Sequence, residues 1–181
     1  MEVSHLPIDM NKNIKRLIIL RSLPGGGKST LAAALVEKAE AQNQTAVVRN
    51  CDEYFMVKGE YKFDGSKLGL YHGKCLAKAR KAIDEGVNVV IIDNTNVCLA
   101  DFKAYVQYAL NADYIVTLME PDTPWGKARD VEALLKMGTH NVPKSSYDKM
   151  LAKWEETDDI LEELSDMLCC EIDIISQSLW V

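Results

Sequence analysis

The chain of 181 residues is 48% hydrophobic and carries a net charge of −6. This length suits one α/β domain with a substantial core, and a second full domain is not expected. No apolar run approaches the roughly 18 residues of a membrane span, and the first residues lack the basic-then-apolar order of a secretory signal. We therefore expect a soluble, intracellular protein, cytoplasmic or nuclear, without a membrane partner.

Cysteine usage and charge distribution narrow the class of protein further. Five cysteines form an odd set without a CxxC pair, which predicts free thiols rather than disulfides or zinc. Residues 148–173 hold ten acids against two lysines, a net charge of −8, so the rest of the chain carries +2. This nearly neutral body is not typical of a tight, sequence-independent nucleic-acid binder.

Apolar runs and helical patterns alternate along the chain, which predicts a mainly parallel sheet covered by helices. The predicted strands are 15–20, 45–50, 87–92 and 114–119. The predicted helices are 29–42, 66–85, 102–110, one charged helix over 125–137, one opened by Pro143, and an acidic amphipathic helix over 155–167. The segment 171–181 is expected to form a late strand or an interface.

The segment 22–30, SLPGGGKST, follows the first predicted strand and precedes the first helix, which is the setting of a phosphate-binding loop. Glycines let backbone N–H groups surround phosphate oxygens, a lysine reaches the β and γ phosphates, and a serine hydroxyl binds Mg²⁺. Ser22 replaces the first glycine of the usual pattern, and we interpret it as tolerated. The predicted nucleotide-binding residues are Pro24, Gly25, Gly26, Gly27, Lys28, Ser29 and Thr30, with ATP and Mg²⁺ as cofactors.

Two polar clusters follow later strands, at the sheet edge where parallel sheets bind ligands. Asp52 is predicted to accept the proton of an attacking hydroxyl, although a solvated acidic loop or a helix cap would explain the same residue. Asp93 stands where a carboxylate would hold Mg²⁺ together with Ser29. Tyr54, Asn94 and Asn96 are predicted acceptor-binding residues; the two asparagines would otherwise form turns.

These motifs, with the segment 120–125 (EPDTPW), resemble the kinase domain of the polynucleotide 5′-hydroxyl kinase family over residues 15–157. The likeness is to the eukaryotic domains found in certain ubiquitin-ligase-binding proteins, and more distantly to the phage enzyme. It implies a three-layer α/β P-loop kinase fold with a helical lid. It also implies that Asp52 deprotonates the acceptor 5′-hydroxyl, that Lys28 and Ser29 hold ATP with Mg²⁺, and that Asp93 supports the metal or the acceptor.

The sequence departs from this family in two places. Phe55 stands where phage-type enzymes carry an arginine that contacts substrate phosphate. In the lid segment, Ala133 and Met137 stand where clamping arginines are expected, so only Arg129 and Lys136 remain as catalytic cations there. An arginine on the transferring phosphoryl group contributes about 10³-fold or more in rate, so its loss predicts slow transfer or binding alone.

The sequence supports a P-loop kinase domain over residues 1–157 and an acidic extension over 158–181 that packs on this domain or on a protein partner. The leading hypothesis is ATP- and Mg²⁺-dependent phosphorylation of the 5′-hydroxyl of a nucleic acid end. The second keeps the chemistry but replaces the acceptor with a small metabolite. The third is a catalytically weakened ATP-binding interaction module.

Overall fold

A five-stranded parallel sheet forms the centre of the protein in a computed structural model that describes residues 14–140, 142–168 and 177–180. The strand order is β2-β5-β1-β6-β7, so the first strand lies in the middle of the sheet. Its strands are β1 (Arg16–Leu20), β2 (Ala46–Arg49), β5 (Val89–Asp93), β6 (Ile115–Asp122) and β7 (Gln177–Trp180), and a separate antiparallel hairpin consists of β3 (Met56–Val57) and β4 (Glu60–Tyr61).

Helices cover both faces of this sheet, because alternate residues of its buried strands point in opposite directions. Ile18 and Ile91 pack against α1, whereas Leu17 and Ile92 lie in the core that α2, α3 and α7 complete. The predicted three-layer α/β fold is therefore confirmed. The helices are α1 (Lys28–Ala41), α2 (Leu68–Asp84), α3 (Leu99–Leu110), α4 (Pro124–Lys127), α5 (Val131–Met137), α6 (Lys144–Leu151) and α7 (Thr157–Leu168).

The prediction of one helix over 125–137 is wrong, because two helices, α4 and α5, occupy this stretch. Thr123 caps α4 by accepting a hydrogen bond from Gly126 N. Arg129 then adopts a left-handed φ of 49°, which ends the first helix, and the Asp130 side chain accepts from two amides of α5. Side-chain caps at two nearby positions thus favour two short helices over one long one.

The hairpin β3–β4 was not predicted, because its strands have only two residues each. The carboxyl-terminal segment includes the strand β7, one of the two alternatives expected for it. Residues 169–176, with Cys169 and Cys170, lie outside the described residues. In the part that the structure describes, Cys51, Cys75 and Cys98 are free thiols, as predicted, and no helix there has the length and apolar character to cross a membrane.

The acidic helix α7 places Ile160 and Leu164 in the core beside α2 and α3. Its acidic residues Glu162 and Glu163 are exposed to solvent. This amphipathic arrangement joins the helix to the kinase fold. A boundary at residue 157 and a protein partner for the extension stay predictions.

Replacing Leu164, which is 0% exposed, with alanine should lower the free energy of unfolding by about 2–5 kcal/mol, since a buried leucine loses its contacts and leaves a cavity. The neighbouring exposed Glu163→Ala is the matched control and should change it by less than about 0.5 kcal/mol. Urea unfolding of both variants measures the difference. Equal stability of the two would show that α7 is not part of the folded unit.

Candidate active site

The loop that follows β1 adopts a conformation which glycine alone supports well. Gly25 has φ of 80° and Gly27 has φ of 99°, and Gly27 is the N-cap of α1. A Cβ on Gly26 would stand 1.8 Å from the Ser22 hydroxyl oxygen, so that position also excludes a side chain. Ser22 itself has no positive φ, which explains why serine replaces the usual first glycine without strain.

Three side chains from later elements hold this loop by its carbonyl groups. Thr123 Oγ1 donates to Gly26 O at 3.0 Å, Trp125 Nε1 to Gly25 O at 3.1 Å, and Tyr147 Oη to Pro24 O at 3.2 Å. The motif at 120–125 therefore shapes the loop. Helix α5 lies directly over it, since a Cβ on Gly25 would stand 2.3 Å from Leu134 O.

Lys28, the loop lysine, folds back over the loop. Its Nζ donates to Ser22 O at 2.8 Å and to Leu23 O at 3.1 Å. Burial lowers the pKa of Lys28 to about 8, against the opposing effects of the Asp93 and Asp52 charges. The ammonium is thus held at the start of α1, where the amino end of the helix also attracts phosphate.

Ser29 and Asp93 form an oxygen-donor pair beside the lysine. Ser29 Oγ donates to Asp93 Oδ2 at 2.9 Å, and Asp93 is 8% exposed at the carboxyl end of β5. Desolvation raises the pKa of Asp93, while Lys28 and the hydrogen bond from Ser29 lower it. A hydroxyl and a carboxylate fit Mg²⁺, which takes few protein ligands and completes its shell with phosphates and water. Among the described residues, no larger cluster of metal-binding side chains occurs.

Asp52 lies in a short 3₁₀ helix, Asp52–Phe55, directly after β2 and is exposed to solvent. Its charge raises the pKa of both Lys28 and Asp93, so the carboxylate interacts electrostatically with the phosphate loop. Tyr61 Oη, from the hairpin, donates to Asp52 Oδ1 at 2.9 Å. The Tyr61 ring stacks in turn on His140, with 4.2 Å between ring centroids. Asp52 is therefore oriented through one oxygen, and Oδ2 is left for a ligand.

The three predicted acceptor-binding residues have different surroundings. Asn94 Oδ1 accepts from Cys51 N at 2.9 Å, which joins the ends of β5 and β2 beside Asp52. Asn96 is 2% exposed, and its Nδ2 donates to Leu20 O at 2.7 Å. Because the Asn96 amide is buried against the main chain, we leave it out of the proposed acceptor site. Tyr54 is half-buried, and the centroid of its ring lies 5.4 Å from that of Tyr71.

The two predicted lid cations have different surroundings. Arg129 Nη2 donates to Glu156 Oε2 at 2.7 Å, and its guanidinium lies 4.4 Å from the centroid of the Trp154 ring. Lys136 is exposed on α5. Arg129 is thus paired with the segment before α7, and a role for either cation in catalysis stays a prediction.

Sequence reasoning missed Arg21, whose side chain is fully buried at the end of β1. Its guanidinium donates to Asn96 O at 3.1 Å, to Thr157 Oγ1 at 2.5 Å and to Glu155 O at 2.5 Å, and it pairs with Glu120 at 3.3 Å. Burial lowers the pKa of Arg21. An arginine next to a glycine-rich loop carries no sequence signal for such burial.

The parallel sheet and the loop between β1 and α1 together define a P-loop kinase-like domain. Residues 17–157 match the sequence profile of a family described as an AAA domain. This is well over half of the chain, and the protein belongs to that family. The match covers nearly the same residues as the predicted resemblance to polynucleotide kinases.

Similar proteins confirm this resemblance. Human NEDD4-binding protein 2 is 37% identical over 77% of this chain, and rat 2′,3′-cyclic-nucleotide 3′-phosphodiesterase is 36% identical over 61%. The chain spans only 8% and 25% of the lengths of these two relatives. A chain of a solved Pnkp1/Rnl/Hen1 complex is 25% identical with a TM-score of 0.51, covering 68% of this chain and 38% of that one.

Another solved structure shows the same fold at lower identity. Kti12 from Chaetomium thermophilum, in complex with ADP-AlF3, is 19% identical with a TM-score of 0.53. The likeness covers 77% of this chain and 80% of that one. The α/β P-loop kinase-like fold is therefore shared with a protein whose structure contains a nucleotide.

Nucleotide affinity should fall as pH rises above about 8, because phosphate oxygens favour protonated Lys28 and the free protein loses that proton near this pH. Below pH 8 the lysine is already charged and the affinity should be constant. Calorimetric titration of ATP between pH 7.5 and 9.5 measures the change. Lys28→Arg keeps its charge throughout this range and is the control. A constant affinity in the unmodified protein would contradict the prediction.

Proposed function

We propose that the chain transfers the γ-phosphoryl group of ATP, with Mg²⁺, to the 5′-hydroxyl of a nucleic acid end. The observation that carries this proposal is the position of Asp52 next to the phosphate loop: the adjacent Cys51 N donates to Asn94 Oδ1 at 2.9 Å, beside Asp93, and the Asp52 charge raises the pKa of both Lys28 and Asp93. A base beside a phosphate loop is what an alcohol acceptor requires, whereas a phosphate loop alone does not separate a kinase from a hydrolase.

Each residue has a defined task in this reaction. Lys28 and the loop amides hold the β and γ phosphates, and Ser29 with Asp93 would hold the metal, which would neutralise charge that develops on the phosphate oxygens. Asp52 Oδ2 accepts the proton as the acceptor oxygen attacks the γ phosphorus. The bond from that phosphorus to the β–γ bridging oxygen breaks, and ADP leaves with the electron pair.

An acceptor of the nucleotide class is favoured over other small metabolites by one of the relatives. Rat 2′,3′-cyclic-nucleotide 3′-phosphodiesterase, 36% identical over 118 residues, is named for action on a nucleotide. This chain covers a quarter of the length of that protein. What supports the proposal is the nucleotide class of its substrate.

A second candidate function is an ATP-binding module with weak catalysis, and the position of Arg129 favours it. The Arg129 guanidinium is restrained by its hydrogen bond to Glu156 and by its contact with the Trp154 ring. These two contacts limit its movement toward the phosphates. An arginine on the transferring group is worth about 10³-fold or more, so a restrained Arg129 predicts slow transfer. Protein partners of the acidic extension would then carry the biological role.

Transfer of labelled γ-phosphate from ATP to a 5′-hydroxyl oligonucleotide should fall by about 10²- to 10⁴-fold in Asp52→Asn, because the base is lost, while ATP binding persists. Lys28→Ala should lose ATP binding as well. Glu53→Gln is the matched control, since this neighbouring carboxylate pairs with Lys78 at 2.8 Å and should leave the rate unchanged.

Three outcomes of this experiment separate the candidates. Transfer that depends on Asp52 but not on Glu53 supports the end-kinase proposal. ATP binding without transfer to the oligonucleotide, but with transfer to small alcohols, favours a metabolite kinase. ATP binding without transfer to either acceptor favours the weakened module.

A further inference from the structure

The segment 56–81, which follows Asp52 in the chain, is strongly basic. It contains seven lysines and arginines against two acids, a net charge of +5 in a chain whose total is −6. The basic residues lie on the hairpin β3–β4, on its connection to α2 and along α2 as far as Lys81, and they are exposed. Lys62 and Lys67 pair with the two acids of the segment, Glu60 and Asp64. The near-neutral average of the body thus conceals a positive segment that follows the two acidic residues Asp52 and Glu53 in the chain.

The same segment exposes apolar side chains that the core does not use. Phe63 is 62% exposed and Leu70 is 58% exposed. The centroids of the Phe63 and Phe55 rings are 5.0 Å apart. Phe55 is a buried residue of the 3₁₀ helix that carries Asp52. The Phe63 ring therefore contacts a buried residue of the fold while much of its surface faces solvent.

The hairpin is connected to Asp52 by direct contacts. Tyr61 Oη donates to Asp52 Oδ1 at 2.9 Å, and Tyr61 is followed by Lys62 and Phe63. On the other side, Lys74 Nζ lies 5.6 Å from the centroid of the Tyr54 ring. Tyr61 and Lys74 thus bring the hairpin and α2 next to the 3₁₀ helix that carries Asp52.

We propose that residues 56–74, the acceptor surface, bind the single-stranded 5′ end of a nucleic acid, with Phe63 stacking on a base and Lys58, Lys62 and Lys74 neutralising backbone phosphates. An exposed ring stacks only on a base with an open face, which an unpaired strand offers and a duplex interior does not. A positive groove with aromatic side chains is the arrangement that binds single strands without strict sequence preference. This inference rests on the proposed function, because it locates the acceptor of the same site.

The acceptor surface is tested by binding a fluorescent 12-nucleotide single strand with a 5′-hydroxyl, without ATP, at several salt concentrations. Phe63→Ala should weaken binding by about tenfold or more, since stacking on one base is lost, and Phe63→Trp should retain the affinity. Lys58→Gln with Lys62→Gln should reduce the slope of log affinity against log salt by about 1.4. Lys149→Gln with Lys153→Gln, two exposed lysines elsewhere, is the matched control.

Several results would overturn the inference. The first is that the unmodified protein does not bind the strand at low salt, and the second is that the Phe63→Ala and double-lysine variants bind it unchanged. The third is equal affinity for a blunt duplex. The fourth is equally effective competition by polyglutamate, which would indicate an acidic protein partner. The expected kinetic counterpart is a KM for the oligonucleotide that rises in Phe63→Ala while kcat is kept.

Failure of this inference and failure of the proposed function give different results. Transfer to the oligonucleotide with an unchanged KM in Phe63→Ala would overturn the acceptor surface and keep the kinase. Binding that depends on Phe63 without transfer by the unmodified protein would overturn the kinase and keep the surface.

Discussion

The parallel pairing of β1 with β5 is the constraint on which the site depends. The register sets Leu20 opposite Asp93, so the strand that leads into the phosphate loop ends level with the strand that ends in a carboxylate. Main-chain hydrogen bonds fix this alignment before any side chain of the site is considered. The 2.9 Å contact from Ser29 Oγ to Asp93 Oδ2 follows from it. The strand register thus sets the level at which the phosphate loop begins and the carboxylate stands.

Arg21 extends the same constraint to the rest of the molecule. Its buried guanidinium connects the end of β1 to Asn96 O, to Glu120 on β6 and to Glu155 O before α7. A buried charge is tolerated only with such complete pairing, and removing one partner is costly. The loop, the motif at 120–125 and the segment that carries Glu156 are thereby held in one arrangement. The pairing of Arg129 with Glu156 belongs to this arrangement.

Much of the fold and the loop could be predicted from the sequence, because apolar strand periodicity and the glycine-lysine-serine pattern are local signals. The four sheet strands predicted with defined bounds lie within a few residues of β1, β2, β5 and β6. The break at Arg129 was missed since capping by Asp130 overrides helix propensity there. Arg21 and the contact from Tyr61 to Asp52 escaped prediction for another reason: both depend on tertiary proximity, which one sequence does not carry.

The most direct test of the site is the effect of Mg²⁺ on ATP affinity in Asp93→Asn, compared with the unmodified protein and with Ser29→Ala. Titration calorimetry with Mg²⁺ and with a chelator separates the metal-dependent gain from binding of the nucleotide alone. The geometry of the strand ends predicts that both variants bind metal-free ATP nearly as the unmodified protein does, yet lose most of the gain from Mg²⁺. A full Mg²⁺-dependent gain in Asp93→Asn would contradict the assignment of this pair as the metal site.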